Sequence, residues 1–220
     1  MLDRPGTKMG DAGDLRQGES VYRPIVAFDF DGTLTVRDSF TAFLQWRVGP
    51  AAWWAGWARL APALARYVRD RDRGRLKAAA IGVFLGGTPR VEIEDAARRF
   101  AEGHARRLLR PDALRAWARW REQGARLVIV TASPEEIVQP FARGLGADLL
   151  IATRLAYDDR DRLTGRLDGL NCRGPEKVRR LQAEFGDDVH LDAAYGDSDG
   201  DREMLAIAEE RGLKVFQGTP

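Results

Sequence analysis

The chain has 220 residues, 44% hydrophobic and 31% charged, enough for one catalytic domain with an inserted subdomain and a sizeable core. A formal net charge of +2, with acids and bases interleaved, gives no basis for a nucleic-acid partner. The single cysteine, Cys172, excludes an internal disulfide, and the expected compartment is the cytoplasm.

In chain order, residues 1–22 contain no apolar run, so the expectation is a disordered leader rather than a secretory signal. Residues 24–30 (PIVAFDF) are β-branched and aromatic and end in Asp-Gly, the pattern of a buried strand followed by a loop. Residues 51–68 are the most apolar stretch, but Arg59, Pro62 and Arg66 interrupt it. Trp53, Trp57, Leu60, Leu64 and Val68 recur at helical spacing, which predicts an amphipathic helix rather than a membrane span. A helix is expected over 111–123 and a second buried strand over 126–130, with a polar loop at Thr131, Ala132 and Ser133. Pro134 should open a helix through Phe141. A third strand is expected over 149–155, followed by a hairpin, a helix over 175–185 and a strand over 189–195. The remainder predicts a helix over 201–211 and a last short strand over 214–216.

Strands alternating with helices predict an α/β fold: a Rossmann-like, doubly wound, mainly parallel sheet. One interval is too long for a crossover, and residues 39–109 read as an inserted α-helical cap between core segments 23–38 and 110–220. Such insertions commonly act as lids.

In such sheets, ligands bind beyond the C-terminal strand ends. Asp29 and Asp31 follow the first strand, Thr131 and Ser133 the second, and Asp197 and Asp201 a later one, while Lys177 opens a helix. An all-oxygen acidic set without His or Cys favours Mg²⁺. Two hydroxyls and an ammonium suit the oxygens of a phosphoryl group, whose transfer needs mainly positioning and charge neutralisation.

FDFDGTLT, VIVTAS, the lysine of GPEKVRRL and GDSDGD resemble, in order, the four motifs of the haloacid dehalogenase-like hydrolase superfamily. The resemblance runs from Pro24 to the C-terminus. It implies a Mg²⁺-dependent phosphatase in which Asp29 forms an aspartyl phosphate and Asp31 serves as acid and then base. It also implies that the metal is held by Asp29, the Asp31 carbonyl and Asp197, with Asp201 in support. Thr131 and Lys177 would bind the phosphoryl group, with Gly32, Thr33, Ala132, Ser133 and Asp38 as further substrate contacts.

The insertion and the phrase RLTGRLDGLNCRGPEKVRRL are similar to the phosphoserine-phosphatase-like branch. Asp38 stands where true phosphoserine phosphatases carry Glu, and Gly32 where they usually carry Ser. Asp38, the hydrophobic cap helix and NCRGPEKV look closer to phosphatidylglycerophosphatase C and to unassigned relatives of that branch. The substrate is therefore open between a lipid phosphate and a small organic phosphate, with phosphoserine as the alternative. A protein that kept the fold and lost turnover is a second alternative. Trp46, Trp53, Trp54 and Trp57 would either fill the cap core or meet a lipid chain or membrane surface. His104 and His190 stand apart from the motifs. The sequence leaves the oligomeric state open.

Overall fold

The computed structural model describes residues 22–220, so the expected leader, Tyr22 apart, lies outside the described residues. Five strands form one parallel sheet in the order β3-β2-β1-β6-β7. They are β1 (Ile25–Phe28), β2 (Arg126–Pro134), β3 (Leu149–Thr153), β6 (Leu191–Gly196) and β7 (Ala208–Leu213). A separate antiparallel hairpin joins β4 (Leu155–Tyr157) to β5 (Leu163–Leu167).

The central strand β1 pairs with β2 through Phe28↔Ile129 and with β6 through Phe28↔Tyr195. Its alternating side chains feed two cores, as expected of a strand covered on both faces. Val26 and Phe28 pack with Leu127, Ile129 and Trp117, whereas Ala27 packs with Val128, Leu181 and Met204. The helices around the sheet are α4 (Pro111–Glu122), α5 (Glu135–Leu145), α6 (Pro175–Phe185) and the short α7 (Arg202–Ala206).

Between β1 and α4 lie α1 (Ser39–Asp70), α2 (Arg73–Leu85) and α3 (Arg90–Leu108). The long α1 breaks at Gly49, whose φ of +74° precedes Pro50; proline cannot continue the hydrogen-bond ladder, so a second helical segment restarts there. Entry and exit of this helical segment run side by side. Val36 N donates to Leu108 O at 2.8 Å and Arg110 N to Leu34 O at 2.9 Å. The hairpin braces the opposite end, where Leu163 N donates to Thr88 O at 2.9 Å. Among the described residues, no helix is long and apolar enough to cross a membrane.

Two expectations at the C-terminal end are corrected. The helix ends at Ala206 instead of 211, and the last strand is Ala208–Leu213 rather than 214–216. Glu209, Glu210 and Arg211 read as helix by composition, yet they are exposed residues of an edge strand, where charge discourages further pairing. Phe216 lies outside the sheet and packs at a tilt against Tyr195, 5.2 Å between ring centroids. Strand β2 also outruns its expected end, continuing through the Thr131–Ser133 segment to Pro134 with a shift of register against β3.

Candidate active site

The C-terminal ends of β1, β2 and β6 lie side by side, and each delivers part of one cluster. Asp29 follows β1, and its backbone N–H extends the ladder to Tyr195 O at 2.9 Å. The chain then turns tightly through Phe30–Leu34, knitted by the buried Thr35, whose Oγ1 donates to Arg37 O at 2.8 Å and accepts from Gly32 N at 3.3 Å. Gly32 sits at φ +81°, and a Cβ there would lie 2.1 Å from Asp197 Oδ2. A residue without a side chain lets the β1 turn and the β6 loop meet edge to edge.

Lys177, in the first turn of α6, is fully buried and knots the cluster together. Its Nζ donates to Asp29 Oδ1, Asp201 Oδ1 and Val130 O, each at 2.6 Å. Burial opposes the ammonium, but the two carboxylates outweigh it and hold the lysine charged, above its ordinary value. Burial pushes Asp29 up to about 7 against the pull of Lys177, with Asp201 and Asp31 adding repulsion. Asp201 is held low despite its burial by Lys177 and by donors in its own loop. Its Oδ2 accepts from Asp197 N at 3.2 Å, Ser198 N at 3.0 Å and Ser198 Oγ at 3.1 Å.

Asp31 is held from two sides. Oδ1 accepts from Ser39 N at 2.7 Å, at the start of α1, and Oδ2 accepts from Ser133 Oγ. Burial and the neighbouring Asp38 carboxylate raise it above the usual carboxylate range. Thr131 lines the cavity, and its Oγ1 accepts from Ser133 N at 3.0 Å. Ser133 and Thr33 are buried behind this surface, Thr33 Oγ1 reaching Asp29 Oδ2 at 3.4 Å. Both hydroxyls thus support carboxylates instead of facing the cavity. Asp38 lies at the rim, exposed, with Oδ1 capping α1 through Thr41 N at 2.6 Å.

Oxygens of Asp29, Asp197 and Asp201 lie within 4.8 Å of one another. Asp197 accepts no hydrogen bond from any described residue, and burial and Asp201 raise its affinity for a proton. Three crowded carboxylates facing one ammonium leave negative charge uncompensated, and an all-oxygen donor set of this kind fits a hard divalent cation.

The cluster forms the floor of a cavity of about 730 Å³ roofed by α1 and α2. Its upper wall is apolar: Trp53, Trp57, Leu60, Leu76 and Phe84, with Trp53 stacked on Phe84 at 5.2 Å. The tryptophans therefore divide. Trp46 packs against Phe100 at 5.6 Å, Trp53 and Trp57 face the cavity, and Trp54 is 71% exposed. Sequence reasoning missed Lys77 of α2, which reaches into this cavity and donates to the carbonyl of Ala132. It lies far in sequence from every motif, and its scarcity as a lysine was the available signal. Cys172 is buried, with its thiol pushed up to about 11, which removes it as a nucleophile. His104 stacks on Phe100 and its Nδ1 bonds to Phe100 O at 3.0 Å, so its role is packing.

A parallel sheet that gathers carboxylates, a hydroxyl-bearing loop and a buried lysine at its C-terminal edge defines an α/β protein with a candidate site for a cation and an oxyanion. The chain belongs to the haloacid dehalogenase-like hydrolase family, which it matches over residues 26–206. It is similar to Protein CicA of Caulobacter vibrioides, 61% identical over 204 residues, covering 92% of this chain and 91% of that one. Among solved structures, a protein of unknown function from Bordetella pertussis Tohama I has a TM-score of 0.69 at 26% identity, covering 84% of this chain and 86% of the other. A substrate-bound phosphoserine phosphatase shares the fold with a TM-score of 0.60 at 18% identity, covering 89% of each chain.

Proposed function

We propose that this chain is a Mg²⁺-dependent phosphomonoester hydrolase that works through an aspartyl phosphate on Asp29. The observation that carries the reading is Lys177 bridging Asp29 and Asp201 directly beside the cavity floor. With Lys177 taking up charge on one oxygen, the other oxygen of Asp29 attacks phosphorus, and the phosphorus–oxygen bond to the alcohol breaks. Asp31 gives its proton to the departing alkoxide. It then removes a proton from the water that attacks the aspartyl phosphate, releasing phosphate and freeing Asp29. Thr131 and the backbone around Ala132, Gly32 and Thr33 orient the phosphoryl oxygens. Asp29, Asp197 and the Asp31 carbonyl would hold Mg²⁺, with Asp201 fixing the Asp197 loop; bound there, the metal neutralises charge on the phosphoryl group.

Titrating metal-free protein with Mg²⁺ should raise its melting temperature, since binding to the folded state alone stabilises it. Chelation should abolish hydrolysis of p-nitrophenyl phosphate, and Asp197→Ala should weaken the apparent Mg²⁺ affinity. Full activity in chelated protein would refute the metal assignment.

The acid role has its own signature. Asp31→Asn should cost roughly 10²–10⁴-fold in kcat/KM on alkyl phosphates. It should cost much less on p-nitrophenyl phosphate, whose leaving group needs little protonation. Equal losses on both would remove Asp31 from that role.

In this reading the helices of residues 39–109 form a cap that selects the leaving group. The apolar wall of Trp53, Trp57 and Phe84 supports an ester with an apolar portion, consistent with the branch that includes phosphatidylglycerophosphatase C. Phosphoserine suits the site less well, because the Asp38 carboxylate is engaged in capping α1.

A further inference from the structure

Lys77 is the one cavity-facing charge of the described cap helices that reaches the loop after β2, and nothing in the proposed mechanism uses it. Its Nζ hydrogen-bonds to Ala132 O, between the two hydroxyl residues of that loop. This is its one hydrogen bond to a described residue, and an ammonium carries three donors. Burial weakens the charged form, while Asp31, Asp38 and Asp29 face it and favour that form. Each of those carboxylates is already committed. Asp29 holds Lys177, Asp31 accepts from Ser39 N and Ser133 Oγ, and Asp38 caps α1. The ammonium lies 5.8 Å from the Phe40 ring centre, a further weak attraction that leaves its donors free. A half-buried ammonium with spare donors on the cavity wall is placed to take an anion arriving with the ligand.

Ala132, whose carbonyl holds Lys77, is followed by Ser133, which donates to Asp31 Oδ2, so the ammonium sits on the Asp31 side of the site, whereas Lys177 holds Asp29 from behind. We infer that Lys77 is a specificity-determining residue that selects phosphomonoesters whose leaving alcohol carries an anionic group, such as a carboxylate or phosphodiester, beside the ester carbon. This rests on the phosphatase reading and adds the substrate class. The apolar wall and the ammonium then serve different parts of one alcohol, the wall its hydrocarbon and Lys77 its charge. Lysine suits the role as a compact point charge on a flexible stem.

The test compares 2-phosphoglycerate with glycerol 2-phosphate, which differ by a carboxylate in place of a hydroxymethyl group. Wild type should prefer 2-phosphoglycerate in kcat/KM. Lys77→Met should lower kcat/KM for 2-phosphoglycerate by about thirtyfold, the range for losing a charge-assisted hydrogen bond, and mainly through KM. Glycerol 2-phosphate should lose about threefold. Lys77→Arg should restore most of the preference, and a melting curve checks that each variant is folded. Equal losses on the two esters would mean that Lys77 serves the phosphoryl group or the fold, and would overturn the inference. So would a wild type without preference. If wild type hydrolyses neither ester nor p-nitrophenyl phosphate with Mg²⁺, the phosphatase reading itself fails; hydrolysis with an unchanged ratio sinks the Lys77 assignment alone.

Discussion

Asp29→Asn should abolish turnover, by on the order of 10⁴-fold or more, while the protein remains folded. An amide is a poor nucleophile toward phosphorus and cannot form the acyl phosphate. The fold should survive because Lys177 keeps Asp201 and the Val130 carbonyl as partners, and the amide oxygen can still accept its third hydrogen bond. Beryllofluoride should protect wild type from thermal unfolding in the presence of Mg²⁺ and have no effect on the variant. Near wild-type turnover by Asp29→Asn would end the covalent mechanism.

Lys177→Met should have the largest effect on stability. The ammonium is 2% exposed, and removing it leaves Asp29 and Asp201 facing each other in a buried site. Breaking a buried ion pair from one side costs about 3–5 kcal/mol. For a chain of this length that lowers the melting temperature by roughly 6–20 °C. The deficit should also depend on pH. Asp29 already has its folded value raised to about 7 from 3.8, so it favours the folded state below the lower figure and loses that contribution as pH rises through the upper one. Losing Lys177 raises the folded value further, so the gap between variant and wild type should narrow from pH 8 to pH 5. Calorimetry in chelator at the two pH values measures this directly. A variant that melts within a degree or two of wild type would show that Lys177 is dispensable to the fold.

What was legible in the sequence depended on how local the cause was. Strands β1 and β2 are buried on both faces, so their apolar runs announced them, and the polar residues that end those runs marked the site edge. Pro175 and Gly186 bound α6 as sharply in the chain as in space. At β7 the pattern failed, because an edge strand has one neighbour and tolerates Glu209-Glu210-Arg211, a composition that suits a helix equally well. Ser133 and Thr33 look like phosphate ligands by position, but whether a hydroxyl faces the cavity or a neighbouring carboxylate depends on side-chain rotation. Lys77 was invisible for a different reason: its place at Ala132 exists once α2 has docked, 55 residues before its partner. The tryptophan stripe was legible as a helix, but the break at Gly49 separates Trp46, which packs on Phe100, from Trp53 and Trp57, which line the cavity.

The knot around Lys177 carries a kinetic consequence. Its three partners are 148, 47 and 24 residues away along the chain, so no short segment can assemble the site by itself. Closing loops of that length comes late and slowly, after the local helices have formed. During refolding, helical ellipticity should therefore return before hydrolytic competence, which becomes a clock for completion of the central sheet. A chain arrested with its helices formed and β6 undocked would hold Asp29 without Asp201, leaving Lys177 one carboxylate short.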